Sequence, residues 1–265
     1  MSNVNASLKF HDHLHARPAP AGIDVHCKLQ HFAIVTYAVE LRRFAGLIPP
    51  RFALDTIEVD GEPKALISVV PFVDVDFTSA RFPFPKFRMG QTNYRIYVVD
   101  TSTNERCVWF LGTTLDSWTL VVPRQIWNLP WFPGRVHFDC IQDPQTGRYT
   151  QYRMSTEASW GPAQLELVQD PGTEHSFSGF PDTETGLVCL THPLAGFYHR
   201  RDGRLGTYRV WHDRLMVAPA RLLSANFGLL SRMKLVSHAE QQSPYSVLLE
   251  PINEFTIYLP PKVLS

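Results

Sequence analysis

Asn93-Tyr94-Arg95-Ile96-Tyr97-Val98 decides the fold, because its two interleaved rows of side chains differ in character. The odd positions carry an amide, a guanidinium and a phenol, while the even positions carry Tyr94, Ile96 and Val98. Side chains alternate across a strand, so the polar row goes to one face and the apolar row to the other. The polar row lines either a solvated sheet face or, in a closed barrel, an interior cavity.

The same pattern recurs outward from this strand. Order begins near His31, and Phe32 to Val39 is apolar and β-branched, as a core strand requires. Ile57-Glu58-Val59 leads through Asp60-Gly61, a hairpin-type turn, into a strand from Ala65 to Phe72. Further strands read at Val108–Thr113, Arg135–Asp139, Tyr149–Met154, Gln164–Val168, Thr207–His212, Tyr245–Leu249 and Glu254–Leu259. Leu41, Phe44 and Leu47 recur at helical spacing before Pro49-Pro50 stops the turn. The spacing predicts one substantial helix over Ala218–Lys234 and a short one over Asp116–Val122. Many short strands and few helices predict a mainly β protein (α+β), a barrel or sandwich rather than a parallel α/β sheet.

The chain's 265 residues suit one domain with a substantial core. Residues 1–22 are polar and His-rich and read as a flexible arm, leaving 23–265 as a single domain. Lys+Arg and Asp+Glu stand at 25 each, so no net field recruits nucleic acid or an anionic membrane. No charged-then-apolar leader and no apolar run near ~20 residues is present, which predicts a cytoplasmic protein without membrane spans. Cys27, Cys107, Cys140 and Cys189 are widely spaced, as free thiols in a reducing compartment are.

The segment from Gln91 to Val98 resembles a motif of the YqjF-like family of uncharacterised bacterial proteins (domain of unknown function 2071). That family usually has an acidic residue where Gln91 stands, whereas Asn93, Arg95 and Tyr97 agree with it. Leu41 to Pro50, Val69-Val70-Pro71-Phe72, Val108-Trp109-Phe110, Phe197 to Arg200 and Ser243 to Val247 match in the same order. The family is similar to the acetoacetate decarboxylase-like superfamily, which implies a closed, mostly antiparallel β-barrel around a central pocket. The superfamily's Arg-Glu-x-x-Gly-x-Pro-Lys segment corresponds to Arg124-Gln125-Ile126-Trp127-Asn128-Leu129-Pro130-Trp131. Glutamate has become Gln125, glycine Asn128, and the catalytic lysine Trp131.

An indole cannot form an iminium, so Trp131 excludes the Schiff-base route that a neutral lysine amine provides. Lys86, in Phe84-Pro85-Lys86-Phe87, reads as a surface lysine rather than a replacement. The resemblance implies that Arg124 points inward. Arg95 and Arg124 would then grip a carboxylate in bidentate fashion. Trp109, Trp127 and Trp131 would supply apolar walls; Gln91, Asn93, Gln125, Asn128 and Tyr97 would orient the ligand. Tyr97 and His212 are candidate proton donors, and the resemblance also implies a homo-oligomer. The expected partner is a small organic acid or keto compound, bound without cofactor or metal by a lyase- or hydratase-like enzyme. A non-catalytic binding protein with a vestigial site is the alternative, favoured by glutamine at both acidic positions.

Other constellations carry less. His11-x-His13-x-His15 would share one face of an extended segment and could hold a metal, but an unstructured tail with incidental histidines is the favoured reading. His137 and Asp139 share a strand face that Cys140 opposes, against a thiol–imidazole pair. Asp74 and Asp76 share a face at i, i+2 and read as a solvated strand end.

Overall fold

A computed structural model describes residues 7–264. The first strands are β1 (Val25–Glu40), β2 (Phe52–Leu54), β3 (Thr56–Val59) and β4 (Glu62–Ser79). Next come β5 (Phe87–Asp100), β6 (Glu105–Leu115), β7 (Trp131–Pro133), β8 (Arg135–Gln142), β9 (Tyr149–Glu157) and β10 (Ala163–Val168). The C-terminal third adds β11 (Ala195–His199), β12 (Leu205–Trp211), β13 (Ala218–Pro219), β14 (Arg221–Phe227) and β15 (Ser246–Leu264). The helices are short: α1 (Phe10–His13), α2 (Val121–Ile126), α3 (Thr183–Thr191) and α4 (Gly228–Arg232). No helix among the described residues is long and apolar enough to cross a membrane.

Seven strands close a barrel in the order β5-β4-β1-β15-β12-β11-β6, with β6 returning to β5. All its neighbours are antiparallel except β6 and β11. The four-stranded sheet β14-β10-β9-β8 lies outside it. This is the mainly β, closed antiparallel architecture that the strand pattern and the resemblance imply.

The Asp60-Gly61 turn joins β3 to β4 with both residues at positive φ, 54° and 76°, as a type I′ hairpin requires. β5 divides its two rows as the alternation predicts. Tyr94, Ile96 and Val98 join a core with Tyr152, Leu165 and Phe227, between the barrel wall and the outer sheet. Tyr97 faces the other way, into a core inside the barrel with Leu29, Phe32 and Val70. Burying one such aliphatic side chain contributes about 1.5–3 kcal/mol, so neither face can be turned out without unfolding the strand. His31, at φ 54°, sits where the pairing of β1 with β4 shifts register and pins the barrel to the outer sheet. Its Nδ1 lies 2.8 Å from the Tyr149 hydroxyl, and its carbonyl accepts from Tyr152 at 2.9 Å.

Ala218–Lys234 departs from the helical expectation. Most of it is β13 and β14, and only Gly228–Arg232 is helical. The leucines at 222, 223, 229 and 230 mimic helical spacing, but β14 pairs with β10 with Ala225 and Phe227 buried. Gln241 and Gln242 then hydrogen-bond the backbone of Phe227 and Ala225, so long-range pairing overrides local propensity. The helix near Asp116–Val122 lies later than its spacing suggests, as a 3₁₀ turn at Trp118–Leu120 running into α2. The sequence reading misses α3, whose signal is the cap: the Asp182 carboxylate accepts from Thr185 N at 2.7 Å.

Residues 7–22 lie against the body. Phe10 is buried beneath Arg214, Trp211 Nε1 donates to His15 O at 2.8 Å, and the Tyr258 hydroxyl donates to Pro18 O at 3.0 Å. The three histidines do not share the face of an extended segment, because α1 winds residues 10–13 into a turn. No cluster of three His, Cys, Asp or Glu among the described residues is placed to hold a metal.

Candidate functional site

The barrel is hollow. A cavity of about 270 Å³ runs from its mouth, where Ile23, Phe87, Thr119 and Pro261 stand, to a closed end at Thr191, His212 and Leu215. The wall is mostly apolar, with β1, β4, β5, β6, β12 and β15 each turning one period-two row inward. The C-terminal end of α3 stops the closed end, because Leu190 is fully buried and its carbonyl receives hydrogen bonds from Arg95 and Tyr97.

β5 supplies the polar row. Gln91, Asn93 and Arg95 line the cavity in succession. Tyr97, next in the row, lies beyond it, its hydroxyl bound to Ser68 at 2.9 Å and to the Leu190 carbonyl at 3.1 Å. Arg95 donates through Nη2 to that same carbonyl at 2.9 Å and to the Tyr97 hydroxyl at 3.2 Å. Its Nε is buried without a partner, as is Asn93 Oδ1. No carboxylate among the described residues pairs with Arg95. A guanidinium beside an apolar cavity, with one N–H unclaimed and no counter-charge, presents an anion site.

α2 divides the expected motif between inside and outside. Thr119, Pro123 and Trp127 line the cavity at four-residue spacing, and Trp131 joins them from β7. Arg124 and Gln125 are rotated by roughly 100° and 200° from that stripe, so neither is among the lining residues. Gln125 is exposed; Arg124 is half-buried, with its Nε unpartnered. The inward Arg124 implied by the resemblance is therefore corrected by the helix phase. Trp109 is corrected by the same logic on β6: Val108 and Phe110 face the cavity, so Trp109 points out and packs against Phe52 and His199. Asn128, where the resembling motif has glycine, sits at φ 55°, a left-handed conformation that asparagine tolerates better than most residues. Its carbonyl accepts from Arg201 N at 2.9 Å rather than facing the cavity. The buried Arg200 donates to Trp127 O at 3.0 Å, so the β11–β12 hairpin fixes this wall in place.

None of the six lysines (9, 28, 64, 86, 234 and 262), all within the described residues, lines the cavity. Lys86 is exposed and pairs with Asp76 at 3.3 Å.

The sequence reading misses the cavity's acid. Asp74 is 1 % exposed and lines the wall. It does not share a face with Asp76, because a bulge between Asp74 and Phe77 turns Asp76, at φ 55°, outward. Gln91 Nε2 donates to its Oδ2, and the Cys27 thiol donates to the same carboxyl. Burial pushes Asp74 up to about 7, against the opposing pull of those two donors. The available signal was the row Val70, Phe72, Asp74, where the inward alternation of β4 continues onto an acid. Burial raises the Cys27 thiol well above its ordinary range, so it stays protonated.

His212 lines the closed end, 2 % exposed and stacked on Phe255 at 4.5 Å. Its Nδ1 lies 2.7 Å from the Asp213 carbonyl, which makes that nitrogen the donor and leaves Nε2 unprotonated. Burial pushes the imidazole down to about 3, so it is neutral at physiological pH.

A closed seven-strand barrel with one flanking sheet and a hollow centre is an acetoacetate decarboxylase-like fold, here without a lysine in the cavity. The chain belongs to the domain of unknown function 2071 family, described as an uncharacterised conserved protein, whose model matches residues 26–251. Solved structures agree on the architecture. An acetoacetate decarboxylase-like enzyme from Sphingomonas wittichii RW1 aligns at 12% identity and TM-score 0.59, over 98% of this chain and 99% of that one. The enduracididine biosynthesis enzyme MppR, complexed with pyruvate, aligns at 12% identity and TM-score 0.55, over 94% and 93%. Acetoacetate decarboxylase from Legionella pneumophila aligns at 13% identity and TM-score 0.53, over 98% and 97%. No curated protein sequence matches the chain. Likeness at these identities carries the fold and leaves the chemistry to the residues in the cavity.

Proposed function

We propose that the barrel binds a small organic acid bearing a keto group and acts on it without a Schiff base. The unpaired Arg95 carries this reading: its free Nε–H and apolar surroundings suit a carboxylate attached to a compact hydrophobic body. Asn93 Oδ1, an acceptor without a donor, adds a place for a ligand hydroxyl or its enol form. Trp127 and Trp131 enclose the body of the ligand near the mouth. The likeness to a barrel that holds pyruvate supports the size class. Trp131 and the absence of any cavity lysine support chemistry other than iminium formation.

The alternative, a non-catalytic binding protein, needs no ionising group at neutral pH in the cavity. Asp74, held near 7, weighs on the side of catalysis.

Thermal unfolding against a panel of 2-oxo acids, aromatic acids and neutral lactones tests the reading. An acid at a hundredfold over its dissociation constant stabilises the folded state by about 2.7 kcal/mol. The wild type and Arg124→Met are expected to respond to acids and Arg95→Met is not. Equal responses from all three proteins, or stabilisation by lactones alone, would contradict the assignment.

A further inference from the structure

We propose that the cavity presents two polar stations to one ligand, a 2-oxo acid whose carboxylate sits on Arg95 and whose apolar body ends in a hydroxyl donated to Asp74. This rests on the anion site described above and names the substrate class of that same cavity.

The strand register separates the stations. Gln91 and Arg95 lie four residues apart on the inward face of β5. A strand rises about 3.3 Å per residue, so they stand roughly 13 Å apart along the barrel. Asp74 pairs with Met89 and Arg95 with Ser68, which puts the two toward opposite ends of the cavity. The guanidinium turns to the Leu190 carbonyl at the closed end, whereas Gln91 Nε2 reaches Asp74 Oδ2 on the side of the mouth. An acid as short as pyruvate, held on Arg95, does not touch Asp74. Phe32, Val70 and Phe72 face the interval between them, a wall suited to an aromatic ring or a short aliphatic chain.

What Asp74 offers is an acceptor. Its carboxyl is held by two neutral donors, the Gln91 amide and the Cys27 thiol, and its two oxygens have room for more. A second carboxylate on the ligand would meet like charge in a buried, weakly screened setting. An ammonium would give up its water against an apolar wall. A hydroxyl meets neither penalty and completes the acceptor. The dimensions agree: a 4-hydroxyphenyl 2-oxo acid is about 8–9 Å from carboxylate to phenolic oxygen, and a hydrogen bond of about 2.8 Å at each end brings the span to roughly 14 Å. Asn93 Oδ1, unpartnered between Gln91 and Arg95 in the same row, then lies beside the keto or enol oxygen.

Titration calorimetry at pH 8 with 4-hydroxyphenylpyruvate and 4-methylphenylpyruvate tests the second station separately from the first. The methyl acid has the same length and ring and lacks the donor. The wild type is expected to bind the hydroxy acid roughly 10- to 100-fold tighter, because a site built to pair a hydroxyl discriminates against the analogue without one. Asp74→Leu is expected to bring the two acids to the same affinity, and Asp74→Asn to keep at most a few-fold preference. Arg95→Met should weaken both acids together. Equal affinity of the wild type for the two acids, or an undiminished preference in either Asp74 variant, overturns the second station and leaves the anion site intact. Should neither variant fold, 4-fluorophenylpyruvate decides on the wild type: it offers an acceptor and no donor, and binding as tight as that of the hydroxy acid overturns the proposal. Failure of the wild type to bind any 2-oxo acid overturns both readings.

Discussion

The molecule has two cores built on opposite faces of the same strands, and they are finished differently. Between the barrel wall and the outer sheet, Tyr94, Trp109, Tyr152, Leu165 and Phe227 are all but completely buried and fill the space. Inside the barrel, Cys27, Leu29, Phe32 and Val70 enclose a cavity that also holds an acid, an unpaired guanidinium and an orphaned amide oxygen. A protein gains stability by filling such a space with methyl groups and by removing its unpartnered polar atoms. The outer core is filled, with the Tyr94 hydroxyl as an unpartnered atom in it, whereas the inner core is left hollow around charged and polar groups, so the inner face of β5 is shaped for something other than stability.

Substitutions can break that contrast. Phe227→Ala, in the filled core, should cost about 3–5 kcal/mol of unfolding free energy in denaturant titration, with midpoint lowered and slope unchanged. A cost below about 1 kcal/mol there would mean that the outer core is not the structural one.

Asp74→Asn should act in the opposite direction. In the unfolded chain this carboxyl ionises from its ordinary 3.8 upward, while the folded protein holds its proton to about 7. The folded state is therefore penalised as pH rises from 3.8 through 7, and the full penalty, on the order of 4 kcal/mol, is present above that. Asparagine carries no such penalty. The variant should be more stable than wild type at pH 8, and the difference should shrink steadily toward pH 4 in parallel denaturant titrations. His212 opposes this slope, since burial keeps it neutral while the unfolded chain takes up a proton below its ordinary 6.5. It contributes equally to both proteins and drops out of their difference.

Smaller effects sharpen the comparison. Val70→Ala borders the void on one side, so its loss should cost only about 1 kcal/mol and should enlarge the cavity, a change that bulkier acids report by tighter binding. Lys86→Ala, which removes the exposed pair with Asp76, should change stability by less than about 1 kcal/mol and leave ligand binding untouched.

The sequence made some of this legible and concealed the rest for identifiable reasons. Alternation over Asn93–Val98 put Asn93 and Arg95 on one face, which proves to be the inner one, because a strand's period is fixed by its backbone, whatever surrounds it. The Asp60-Gly61 hairpin was legible because its turn demands two positive φ values that few residue pairs accept. The same reading could not see that Tyr97 lies past the cavity's end, since depth along a barrel is set by α3, itself unrecognised. Asp74 was concealed by its neighbour. With Asp76 two residues on, the pair resembled a solvated edge, and the bulge that separates them has no sequence signature. Arg124 and Trp109 were placed by motif rather than by phase. A one-position offset on a helix or strand sufficed to turn each away from the ligand space.

The most direct test of the inner core's purpose is the affinity of a 2-oxo acid compared with that of its methyl ester, measured by titration calorimetry on the wild type and on Arg95→Met. A charge-assisted hydrogen bond to a guanidinium is worth about 1.5–3 kcal/mol, so the wild type should prefer the acid by roughly 10- to 100-fold. Arg95→Met should bind acid and ester alike. Equal affinity of the wild type for both, or an unchanged preference in the variant, would contradict an anion site at Arg95.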